Sequence, residues 1–182
     1  MTRFLKSRNR YRWTLLAAAA LVAGSAQANG DFNLAEQYDV GEVRESTGAF
    51  HNIPLAEAGG YALLPGLDGC FDNPGVGGMG IHWINTTLLN NMVLDPNQPQ
   101  AMVYARGADG ALRLVAVEYI IPAAPWDATH TGVPRLAGMK LHLETDLGVY
   151  VLHAWIWERN PAGFFEDWNP RISQCVLNTR HN

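Results

Sequence analysis

Residues 150–170 read YVLHAWIWERNPAGFFEDWNP. The stretch opens as a run of large apolar residues interrupted by one histidine. It closes as an aromatic loop bounded by Asn160-Pro161 and Asn169-Pro170. Side chains alternate along a strand, so Val149, Val151, His153, Trp155 and Trp157 share one side, and Tyr150, Leu152, Ala154 and Ile156 the other. Both sets are apolar, which predicts an inner strand covered on both faces. His153 then lies in a core, where an imidazole needs a partner.

Upstream, the same logic places further strands. Gly80–Asn85 (GIHWIN) puts His82 and Ile84 on one face, Ile81 and Trp83 on the other. Ala101–Arg106 and Ala111–Ile121 flank the turn Gly107-Ala108-Asp109-Gly110 and predict a β-hairpin. In the longer arm Leu112, Leu114, Ala116, Glu118 and Ile120 alternate onto one face, so Glu118 is an acid among aliphatics. Gly138–Leu143 predicts a short strand leading through Asp146-Leu147-Gly148 into the 150–170 stretch. Pro65–Gly80, with six glycines, Thr86–Pro99 and Pro122–Pro134 are expected to be irregular connections. Before them, Leu34–Phe50 reads as helical, because Val40, Val43, Thr47 and Phe50 recur on one face. Asn52 with Pro54 marks the start of a short second helix that Gly59-Gly60 ends.

The chain begins with a basic segment (Arg3, Lys6, Arg8, Arg10, Arg12), an apolar run from Thr14 to Gly24, and Ala26-Gln27-Ala28. That order is the pattern of a secretory signal peptide over residues 1–28. The remaining residues, 29–182, suit a single globular domain with one core. Without the leader's five basic residues, eight Lys and Arg face seventeen Asp and Glu, a formal charge of −9. An acidic chain with no basic run argues against nucleic acid and anionic lipid as partners, and no membrane span is expected in the mature form. In a protein exported to periplasm or medium, the pair Cys70 and Cys175 reads as a disulfide.

The expected fold is α+β: an N-terminal helix or helices packed on a mostly antiparallel curved sheet or partial barrel. A β-barrel or sandwich with a helical appendage is the alternative.

His82, Glu118 and His153 are ionisable groups inside strands that otherwise read as core. A lone buried carboxylate carries a large desolvation cost, so one solution is that the three meet. Two imidazoles and a carboxylate suit a divalent transition metal such as zinc, iron or copper. The rival is a metal-free polar network in which the histidines bond Glu118 or backbone carbonyls. Met79 beside them would favour copper, although it reads first as a gap-filler; His142 reads as exposed, as do His51, His130 and His181. Nucleophilic catalysis has little support, since Ser46 and Ser173 sit in no G-x-S-x-G turn. A carboxylate pair of Glu118 with Glu158, Glu166 or Asp167 has no spacing behind it. Trp83, Tyr119, Trp126 and Trp168 are candidates for the walls of an aromatic ligand pocket.

The order GMGIHW (78–83), VEY (117–119), LHAWIW (152–157) and NPAGFFEDWNP (160–170) resembles a family of uncharacterised exported bacterial proteins. The resemblance runs from about Val40 to Cys175 and includes the AGGY segment at 58–61. It implies one compact domain and brings no activity, cofactor or site residue with it. The sequence thus predicts an exported small protein that binds a metal or small molecule. A non-catalytic aromatic pocket or a structural envelope component are the other readings.

Overall fold

The computed structural model describes residues 38–177; the expected leader and the first residues of the expected N-terminal helix lie outside them. Helix α1 is Val40–Thr47, followed by a 3₁₀ turn over Gly48–His51 and by α2, Ile53–Ala58. Asp39 caps α1 by accepting from the amides of Gly41 and Glu42. Asn52 does precede α2, with Pro54 in its first turn, but its side chain makes no capping bond. Val43 and Thr47 are buried, and Val40 and Phe50 lie against the core, as the spacing predicts.

Eleven strands follow among the described residues, most of them in one sheet. They are β1 (Tyr61–Ala62), β2 (Phe71–Asn73), β3 (Gly77–Asn85), β4 (Ala101–Arg106), β5 (Leu112–Pro122), β6 (Arg135–Leu136), β7 (Met139–Lys140), β8 (His142–Glu144), β9 (Val149–Ala154), β10 (Ile172–Ser173) and β11 (Val176–Leu177). The main order is β1-β3-β4-β5-β9-β8, antiparallel throughout, with β11 joining β4 in parallel and β6-β7 standing apart. The sheet is open, so the closed-barrel alternative does not hold.

One face of the sheet carries Trp83, Met102, Tyr104, Tyr119, Ile121 and Leu152, in one apolar cluster with Tyr38, Val43 and Ala56. The Tyr104 hydroxyl donates to the Phe50 carbonyl at 2.7 Å. The opposite face carries two smaller clusters: Val103, Val115, Ala116, Trp155 and Ile172 in one, Ile84, Ala101, Ile120 and Val151 in the other.

Several sequence expectations change here. Strict alternation along β5 fails at a bulge: Val103 pairs with Ala116, but Tyr104 pairs with Leu114, leaving Val115 extra. Leu114 therefore joins Val117 and Tyr119 on the first face, while Val115 and Ala116 fall on the second. The carbonyl of Val115 is satisfied by the amides of both Trp157 and Glu158. The 150–170 strand likewise ends at Ala154, where Ile156 N–H turns back to the Ala154 carbonyl. Trp155 stays on the second face, but Trp157 crosses to the first, edge-on to His51 and under Arg44.

The glycine-rich segment is not wholly irregular, since Gly77–Gly80 belongs to β3 and pairs with β2. Its glycines admit backbone: a Cβ at Gly77 would overlap the Asn169 carbonyl, and one at Gly80 would lie 2.9 Å from the Tyr104 carbonyl oxygen. Two more loops contain helical turns, α3 (Thr86–Asn91) and α4 (Ala123–Asp127). The Asn85 side chain caps α3, accepting from the amides of Thr87 and Leu88. Gly138–Leu143 is split, with Met139–Lys140 paired to β6 and His142 onward paired to β9. Cys70 and Cys175 form a disulfide that ties the start of β2 to the β10-β11 turn. No helix among the described residues is long and apolar enough to cross a membrane.

Candidate metal centre

The second face brings His82, Glu118 and His153 together. Register explains how. Glu118 on β5 is directly opposite His153 on β9. On its other side Glu118 is opposite Ala101 of β4, and Ala101 is opposite Ile84 of β3. His82 sits one step along that face from Ile84, two strands from Glu118. Two strand spacings are roughly 9–10 Å, a gap that a glutamate and an imidazole close by reaching toward each other. Ala101 leaves room beneath them.

The three side chains are 5 %, 6 % and 0 % exposed, and their potential ligand atoms lie within 4.8 Å of one another. His82 Nε2 stands 3.3 Å from Glu118 Oε2, and His153 Nδ1 stands 3.4 Å from Glu118 Oε1. Charge-assisted N–H···O bonds are shorter, about 2.7–2.9 Å. Both contacts are longer than that, and among the described residues both nitrogens of His153, together with His82 Nδ1, have no partner in good hydrogen-bond geometry. With metal–ligand distances of about 2.0–2.2 Å, however, the edge of a coordination tetrahedron is about 3.4 Å. The two contacts, each to a different oxygen of Glu118, are thus as long as a coordination edge, and one donor atom from each residue lies within 4.8 Å of the others.

Protonation states suit the same use. Burial lowers the pKa of His82 to about 4, so its ring is neutral at neutral pH. Burial alone would raise Glu118, but the neighbouring His82 and His153 offset this and leave it below the ordinary carboxylate value. The lone pair of a neutral His82 beside the Glu118 carboxylate suits a divalent cation.

A cavity of about 240 Å³ opens beside the triad and touches His82 and Glu118. Its walls include Phe71, Met79, Ile84, Ile120, Val151 and Trp168, and Glu144 and Asp146 also line it. Met79 reaches this face because β3 carries an irregularity in its pairing with β2, where Gly80 has φ +121°. The Phe71 ring is edge-on to His82 at 5.2 Å, and the Trp155 ring stacks on His153 at 5.1 Å.

The Asn-Pro loop forms one wall. Sequence reading treats Asn160 and Asn169 as turn formers, and each does accept from the amide two residues on. Both are also buried staples: Asn160 Nδ2 donates to the carbonyls of Glu166 and Trp168, and Asn169 Nδ2 to that of Arg159. Asn169 and Gly78 exchange backbone hydrogen bonds at 3.2 and 3.1 Å, which seats the loop on β3.

A second group stands on the same face. His142 Nε2 lies 3.0 Å from Asp167 Oδ2 and 3.6 Å from Glu144 Oε1, half-exposed. The Asp167 hydrogen bond raises the pKa of His142. His142 is exposed, as its strand neighbours predict, whereas Asp167 enters the sequence reading only as a weak partner for Glu118; the register of β8 on β9 and the returning loop, neither visible as a motif, bring the two together. Glu158 is instead taken by Arg171 at 2.7 Å.

Of the predicted aromatic lining, Trp168 is in the cavity wall. Trp83 and Tyr119 belong to the apolar cluster on the other side of the sheet, where Tyr119 is hydrogen-bonded to Tyr38. Trp126 stacks on His130 in and after α4. No family model matches this chain, and no curated protein or solved structure matches it.

Proposed function

We propose that this is an exported protein that binds one divalent transition metal through His82, Glu118 and His153. The observation behind the reading is a buried donor set from three strands, spaced like coordination edges and without the hydrogen bonds of a polar network. Zinc, iron and copper all accept such ligands. The signal-peptide pattern and the Cys70–Cys175 disulfide support export, and the motifs quoted above support placing the chain with the exported family it resembles. The N-terminal helices serve as cover for the sheet face opposite the site, which the Tyr104–Phe50 bond supports.

Metal-bound imidazoles ordinarily donate their outer N–H to an acceptor, and losing such support costs about 10–100-fold in affinity. His82 Nδ1 and His153 Nε2, the outer nitrogens, lack one. The metal is therefore exchangeable and removable by a strong chelator. The test is elemental analysis of untagged mature protein from its native compartment, before and after chelation and re-addition. Near-stoichiometric metal, absent from His153→Ala, is the expected result. Equal metal in wild type and in Ala variants at all three positions would overturn it.

A further inference from the structure

We infer that the cavity beside the triad receives a small, flat, non-anionic molecule with one nitrogen or oxygen donor, which completes the coordination of the metal. The inference rests on the metal reading above and names the ligand class of the same site.

Size comes first. A cavity of about 150 Å³ accommodates a benzene ring, so this cavity of about 240 Å³ takes on the order of ten non-hydrogen atoms. Shape comes from the walls, where the rings of Phe71 and Trp168 and the branched chains of Ile84, Ile120 and Val151 leave an apolar space. Polarity is confined to His82 and Glu118 on one side and to Glu144 and Asp146. A bound molecule therefore finds a polar contact at the metal, two carboxylates at Glu144 and Asp146, and apolar contact elsewhere.

Charge narrows the class further. Among the residues lining the cavity there is no Lys or Arg, whereas three are carboxylates. Glu118 belongs to the metal, and Glu144 and Asp146 repel an anion on its way in. Three protein ligands leave a further position at a tetrahedral metal, and the cavity reaches the two ligands that border it, His82 and Glu118. His153 closes the other side, fully buried and stacked by Trp155.

The test uses the mature protein loaded with cobalt(II), whose visible absorption reports a change of inner ligand. The probe is 4-phenylimidazole, uncharged above neutral pH; benzoate, of similar size and shape but anionic, is the counter-probe. The expected result is a saturable band shift with 4-phenylimidazole, half complete at about 1 mM or below, and none with benzoate at that concentration. Val149 also lines the cavity, and in Val149→Trp, which fills it, the half-saturation per bound cobalt rises at least tenfold. In Asp146→Lys, benzoate begins to shift the band. Cobalt uptake with no shift by 4-phenylimidazole, or with a shift by benzoate alone in the wild type, would overturn the ligand class and leave the metal reading standing. Absence of cobalt uptake would remove both.

Discussion

Glu118 Oε2 stands 3.3 Å from His82 Nε2 although strand β4 runs between their backbones. Two buried side chains that meet across a strand, at a distance longer than a charge-assisted hydrogen bond, do little for the stability of the metal-free fold. Replacing a buried ionic group with apolar residues of similar volume is often neutral or stabilising by about 1–4 kcal/mol. The triple variant His82→Leu/Glu118→Leu/His153→Leu should thus fold, bind no metal, and match or exceed the metal-free wild type in urea denaturation. A large loss of stability would show that the trio serves the core as a structural network.

The pKa of His82 sets a pH dependence with a definite sign. Its folded value of about 4 lies below the ordinary 6.5 because burial penalises the charged ring. The unfolded chain therefore takes up the proton first as pH falls. The stability linked to His82 is fully present above about pH 6.5, declines toward pH 4, and amounts to about 3 kcal/mol. Glu118, also lowered, adds loss in the same direction at the acid end. Denaturation of metal-free protein across this range should show the decline, and His82→Leu should flatten it. A pH-independent wild type would place His82 in contact with solvent.

Much of the site was legible because it rests on alternation. A histidine or glutamate inside an apolar strand must be either turned to solvent or partnered, and His82, Glu118 and His153 each broke an apolar run. The bulge at Val115 was hidden, because an extra residue leaves no mark in a run such as LRLVAVEYII. It reassigned Leu112 and Leu114 to the other face yet left Glu118 where alternation from Ile120 had put it. The strand's end at Ala154 was equally hidden, since Trp155 and Trp157 continue the apolar pattern while the chain turns. The helical turn at Thr86 was there to be read in Asn85, whose cap competes with a loop reading. The His142–Asp167 contact depends on where a long loop returns, which no local spacing encodes.

His142 should titrate in the opposite sense from His82. The Asp167 carboxylate accepting its Nε2 proton raises its pKa above 6.5. The stability it contributes is complete below the unfolded value and is lost as pH rises through the raised folded one. The measurement is an NMR titration of the ring protons, with the midpoint expected above 6.5 in the wild type and lower in Asp167→Asn. Because Asp167 and Trp168 share the loop that walls the cavity, the tryptophan emission of the wild type should follow the same midpoint. An unshifted His142 in the wild type would mean that the loop does not rest on β8.

The disulfide should matter more to the fold than to the metal. Cys70 and Cys175 are 105 residues apart, and closing a loop of that size constrains the unfolded chain by about 4–5 kcal/mol. Cys70→Ser/Cys175→Ser should lose roughly that much stability in urea denaturation. The metal ligands, however, stand on β3, β5 and β9, which are joined through β4 by their own ladders. Phe71, next to Cys70 and edge-on to His82, connects the bridge to the site. The tail keeps other anchors, with Arg106 N–H donating to the Cys175 carbonyl and Gln174 N–H to Asp72. Metal affinity in the folded double variant should therefore fall by less than about tenfold. A loss as complete as that of His153→Ala would mean that the outer wall, rather than the sheet, positions the ligands.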